Sequence, residues 1–220
     1  MTRIIIMVKK PSPLPLLGLF LVFGFPSLPI SRWENEFKDV THLVVYEAIW
    51  WAVVLLVLLL VKSGEKRPLS SLGFCAPGWK GVLVALGAGV VTLTGLYLIY
   101  FVIFPLLHVN EGQQINLLTS TPFWWRVIST VRAAIGEEVL FRGYGITRTA
   151  ELTGSLRFAA FLSWAIFTLD HVGPWGWAHL LVAGFGGLIF TFVYLWRRNL
   201  WITIIAHFIV DGAAVVLVSI

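Results

Sequence analysis

The stretch GVLVALGAGVVTLTGLYLIYFVIF, residues 81–104, carries no charged side chain. It exceeds the roughly 20 apolar residues that a helix needs to cross the hydrocarbon of a bilayer. Further apolar runs lie on both sides of it. Leu43–Val61 is broken only by Glu47, and Trp175–Trp196 is polar only at His179 and Thr191. Asn199–Ile220 has His207 and Asp211 as its ionisable residues, and Leu14–Ile30 is uncharged but interrupted by Pro15, Pro26 and Pro29. Two weaker runs, Phe123–Arg148 and Phe158–His171, hold most of the intramembrane charge. Across the 220 residues, 58% are hydrophobic and 12% charged, against about 25% charged in a soluble domain. The pattern predicts an all-α fold, a polytopic transmembrane helical bundle of about seven spans.

Basic residues give a second line on topology, because Lys and Arg accumulate on the cytoplasmic side of a membrane. Arg3, Lys9 and Lys10 precede the first run, and Lys62, Lys66, Arg67 and Lys80 occupy loop 62–80. Arg142, Arg148 and Arg157 lie in 142–157, and Arg197–Arg198 close the sixth run. The intervening connections carry Glu34, Glu36 and Asp39, then Glu111, then Asp170. This alternation predicts a multi-pass protein of the cell membrane with its N-terminus in the cytoplasm. The net charge of +5 is then topological, and no basic–aromatic stripe of the kind used on nucleic acid is present. The apolar start could also be a signal peptide, but GFPSLPI (24–30) offers no small-x-small cleavage site, so it is kept as the first span. The single Cys75 excludes an intramolecular disulfide. The chain reads as one membrane domain, 1–220, with N-terminal spans over 1–120 and motif-bearing spans over 121–220.

Charge inside such a domain is costly unless paired or hydrated, so GEEVLFRGYG (136–145) calls for a reason. On an α-helix, residues four apart share a face. Glu138 can therefore pair with Arg142, while Glu137 sits about 100° around the helix and points elsewhere. Phe167 and His171 have the same spacing, as do His207 and Asp211. Glu137 and His171 are equidistant from Gly154, within a TGS turn (153–155). Two helical arms would return both to one depth, about 25 Å from the turn. His207 lies only about 13 Å from its own cytoplasmic end. The depths agree if the hairpin 145–156 projects beyond the membrane, and the three clusters then meet in a cytoplasm-facing cavity. Glu47, His42 and His108 read as interfacial, His179 as an isolated core residue, and Ala183 with Gly187 as a close helix approach.

The motifs EExxxR (Glu137–Arg142), FxxxH (Phe167–His171) and HxxxD (His207–Asp211), in this order over roughly residues 120–215, resemble the CAAX protease and bacteriocin-processing family (CPBP, or Abi). Its eukaryotic members are the type II CAAX prenyl endopeptidases. The resemblance implies an intramembrane glutamate-type endopeptidase hydrolysing a peptide bond with activated water. By position, Glu137 would be the general base, and His171 would hold and polarise the water. Glu138 and Arg142 would organise the site, and His207 with residue 211 would stabilise the oxyanion. Phe141 and Phe167 are candidates for substrate contact. The implied partners are the lipid bilayer and a peptide or lipidated-protein C-terminus. The family's last motif usually ends in Asn; Asp211 cannot donate when ionised, but it can accept from His207 and fix its tautomer.

No cofactor is implied, although Glu137, His171 and His207 also make up the two-His, one-Glu set of a catalytic zinc site. Two readings from other classes stay open. One is a non-catalytic bacteriocin self-immunity or scaffold protein. The other is a proton-coupled transporter using the same acids and histidines, which would predict inverted repeats.

Overall fold

The computed structural model describes residues 13–26, 28, 39–109 and 120–217. The basic residues Arg3, Lys9 and Lys10 and the loop acids Glu34, Glu36 and Glu111 lie outside them. The described chain is all-helical: α1 (Pro13–Gly24), α2 (Val40–Gly64), α3 (Gly78–Leu106), α4 (123–153), α5 (Leu156–Asp170), α6 (His179–Arg197) and α7 (Leu200–Leu217). Apolar side chains such as Leu55, Leu59, Val90, Phe101 and Phe192 stand exposed along these helices, as lipid-facing surfaces require, while helical hydrogen bonding satisfies the backbone internally. By length and composition α2, α3 and α6 can cross a membrane, and α1 and Leu200–Ala214 are shorter apolar helices. The start of α2 is capped by Asp39, whose carboxylate accepts from the His42 amide at 3.0 Å. That hydrogen bond holds the exposed carboxyl below its usual range.

The core is organised around α4. It runs as an α-helix over Phe123–Glu137, widens into a π-helix over Glu138–Ile146, and resumes as an α-helix over Thr147–Thr153. All nine residues of the wide segment are buried, with α1, α2, α5, α7 and the turn Leu69–Leu72 packed around it. Residues 142–153, counted with the basic connection but expected to run as a helical arm into the Gly154 turn, are helix. The connection to α5 shrinks to Gly154, at φ 71°, and Ser155, whose hydroxyl caps α5 by accepting from the Phe158 amide.

Two ion-pair clusters tie α4 to α2. Near its start, Arg132 donates to Glu47 at 3.1–3.2 Å and lies over the rings of Tyr46 and Trp50. Glu47 is thus buried in the bundle, where its carboxylate is met by a residue 85 positions away. Near its end, Arg148 is fully buried and meets Glu65 at 2.7 Å, Ser71 at 3.1 Å and Glu151 at 3.3 Å. Tyr144 donates to the same Glu65 at 2.7 Å. Arg148 consequently anchors the end of α2, although its position in the sequence reads as a loop cation. The segment after α2 also latches the α6–α7 junction: Leu200 donates its amide to the Gly73 carbonyl at 2.8 Å, and Asn199 donates to the Cys75 carbonyl at 2.9 Å.

Candidate active site

Two residues of the wide segment, one helical turn apart, meet inside the bundle. Glu138 and Arg142 are 0% and 1% exposed and pair at 3.1 Å. Arg142 also donates to the Gly187 carbonyl of α6 at 3.0 Å, and its guanidinium lies 4.2 Å from the Phe167 ring centroid. Gly187 permits this approach, since a Cβ there would stand 2.9 Å from the Phe167 ring. The close contact expected from the small residues of α6 is thereby realised at the arginine itself. A buried ion pair survives desolvation only when its remaining polar valences are met, and the Gly187 carbonyl meets one of them.

His207, on α7, completes this cluster. Its Nδ1 lies 3.0 Å from Glu138 Oε1. An ionised carboxylate only accepts, so Nδ1 carries the proton. The opposite edge, Nε2, faces Asp211 at 3.4 Å and Glu137 at 3.8 Å, and Phe190 stacks on the ring at 4.9 Å. Glu137 does not point elsewhere, as ideal α geometry would have it. The helix widens directly after Glu137, to hydrogen bonds closing one residue further along, and both adjacent carboxylates reach one imidazole from opposite sides. Burial then sorts the acids: Glu138 is sealed, whereas Glu137 and Asp211 keep 17% and 34% of their side-chain exposure.

His171 caps α5 and lies close to this cluster, within electrostatic reach of Glu137 and His207. Its Nδ1 lies 2.7 Å from the Phe167 carbonyl. A carbonyl only accepts, so the proton sits on Nδ1 and Nε2 is left with a lone pair. Phe167 packs on the His171 ring at 4.5 Å and on Phe141 at 5.2 Å. Both phenylalanines are 3% exposed. As described they back Arg142 and His171 and present no open face for substrate. His179 joins the site despite its isolation in the sequence: its ring lies parallel to that of His171, at 5.9 Å. The sequence signal that could have found it is Gly176, whose φ of 86° turns the chain back on itself.

Glu137, His171 and His207 do not form a metal-ligand group; among the described residues no three His, Cys, Asp or Glu side chains are arranged to hold one ion. An apolar groove of about 210 Å³ opens between α4 and α7, the helices that carry Glu137 and His207. Val131, Ala134, Ile135, Trp201, Ile204 and Phe208 line it.

Residues 118–213, a little under half of the chain, match the family model described as type II CAAX prenyl endopeptidase Rce1-like. No curated protein and no solved structure matches the chain.

Proposed function

We propose, from the match of residues 118–213 to the Rce1-like type II CAAX prenyl endopeptidase family model, that the chain is an intramembrane endopeptidase in which Glu137 and His171 activate the attacking water. The observation that carries this reading is the division of labour around His207. Its Nδ1 is committed to the sealed Glu138–Arg142 pair, and its Nε2 edge opens toward the two accessible acids.

In this mechanism Glu137 removes a proton from water as the oxygen attacks the scissile carbonyl, and His171 orients that water by accepting on Nε2. His207, doubly protonated, donates from Nε2 to the oxyanion. In the resting geometry Glu137 and Asp211 share that edge. Once Glu137 is protonated its pull on Nε2–H weakens, and the oxyanion takes its place. Glu137 then passes its proton to the leaving amine as the C–N bond breaks. Fixed donors aimed at the developing charge supply much of the acceleration in such sites. The apolar groove beside α4 and α7 suits the hydrophobic part of a membrane-associated or lipidated C-terminal peptide. In this reading the chain is one domain in the cell membrane, all seven helices cross, the N-terminus is cytoplasmic, and the site opens to the cytoplasm.

The test is incubation of the purified full chain with prenylated and unprenylated peptides. Wild type cleaves at least one class, and Glu137→Gln reduces turnover by roughly 10²–10⁴-fold, the range of general-base catalysis. Peptides left intact by wild type and variant alike would remove the support for proteolysis. Stoichiometric zinc, with cleavage abolished by chelator, would overturn the metal-independent roles given to Glu137 and His171.

A further inference from the structure

We infer that His179, with Trp175, is a positioning device that fixes the ring plane of His171; the inference rests on the proposed role of His171. His171 needs such a device. It is the cap residue of α5, where the helical backbone ends, and a short turn, Val172–Trp175, follows at once. Gly176, with φ 86° and ψ 173°, then reverses the chain into α6. The reversal brings His179 and Trp175 back over the exit from α5. Trp175 and His179 stack at 5.0 Å and 18°, and His179 and His171 at 5.9 Å and 11°. Phe167 lies on His171 at 4.5 Å and 53°. Phe167, His171, His179 and Trp175 thus make a chain of ring contacts, in which His171 is tilted against Phe167 and parallel to His179.

The stack and the Nδ1 contact to the Phe167 carbonyl act in series. The stack holds the ring in the plane in which Nδ1 meets that carbonyl, and the carbonyl then fixes which nitrogen bears the proton. Together they direct Nε2 by construction, with no ligand required. The flat face of His179 serves this task, and that side chain is itself buried. His179 does not touch the water or the peptide; it acts through His171.

The experiment uses the full chain with ¹⁵N-labelled histidine in lipid nanodiscs, the His171 resonances being assigned from a His171→Gln variant. In wild type the two His171 nitrogens show the separated shifts of a single Nδ1–H tautomer. In His179→Ala they move toward averaged values, and kcat on a cleaved peptide falls roughly 10- to 100-fold with KM little changed, as expected for a misplaced catalytic group. His179→Phe keeps a flat ring and restores both readouts close to wild type. Unchanged His171 shifts in His179→Ala would overturn the inference. So would a His179→Phe variant as impaired as the alanine variant, since the nitrogens and not the face would then matter. The shifts are read without substrate, so they decide the positioning role even for a chain that cleaves no peptide.

Discussion

At the scale of single residues, the sealed pair Glu138–Arg142 has the most to lose. Arg142 meets a carboxylate, a backbone carbonyl and an aromatic face at once. Arg142→Met would leave the Glu138 carboxylate, fully buried, with only His207 and Thr203 as partners. Breaking one side of a buried pair costs about 3–5 kcal/mol, so a lowered midpoint in detergent thermal denaturation is expected. Arg142→Lys keeps the charge but not the planar fork that spans Glu138 and Gly187, and should lie between the two. An unshifted midpoint for Arg142→Met would show that the pair contributes nothing to the fold. This pair was legible in the sequence, as was His207–Asp211, because four-residue spacing on one helix fixes who the neighbours are. Glu47–Arg132 and Glu65–Arg148 were not legible. Their partners lie 85 and 83 residues apart, and helix packing, not local spacing, brings them together.

At the scale of elements, the contact of α5 with α6 is set by the absence of a side chain. A Cβ at Gly187 would stand 2.9 Å from two atoms of the Phe167 ring and 3.3 Å from Arg142 Nη2. Gly187→Ala should therefore cost about 1–3 kcal/mol of overpacking. Gly187→Leu should displace Phe167 and, with it, the carbonyl that receives His171 Nδ1. The expected pattern is a folded but inactive leucine variant, read by size-exclusion profile alongside peptide cleavage. Full activity in Gly187→Leu would contradict this account of the α5–α6 contact. The small residues of α6 announced this approach in the sequence. The widening of α4 had no such announcement: a π-helix uses the same residue types as an α-helix, and surrounding packing decides between them. The Gly154 turn was readable because a positive φ favours glycine.

At the scale of the whole molecule, the orientation in the membrane can be tested with the protein's own single thiol. Cys75 is exposed, in the same segment as Lys62, Lys66 and Arg67. With the N-terminus inside, a membrane-impermeant maleimide should leave Cys75 unlabelled in intact cells and label it in inverted vesicles; the opposite pattern would invert the proposed topology. Labelling should also perturb little of the site, since the thiol's own contacts are weak ones to the Gly73 and Arg198 carbonyls. The wide segment of α4 has a consequence at this scale. Its start carries Glu138, bound to His207; near its end stands Tyr144 and just beyond it Arg148, both bound to Glu65. Removing one residue between them, with the wide hydrogen-bonding pattern kept, would turn everything beyond it by roughly a quarter of a turn. One set of partners could then be kept only by surrendering the other. The length of this stretch is as constrained as its composition: the helix works as a phase setting between two halves of the protein, and a single-residue deletion there should be harder to tolerate than most substitutions.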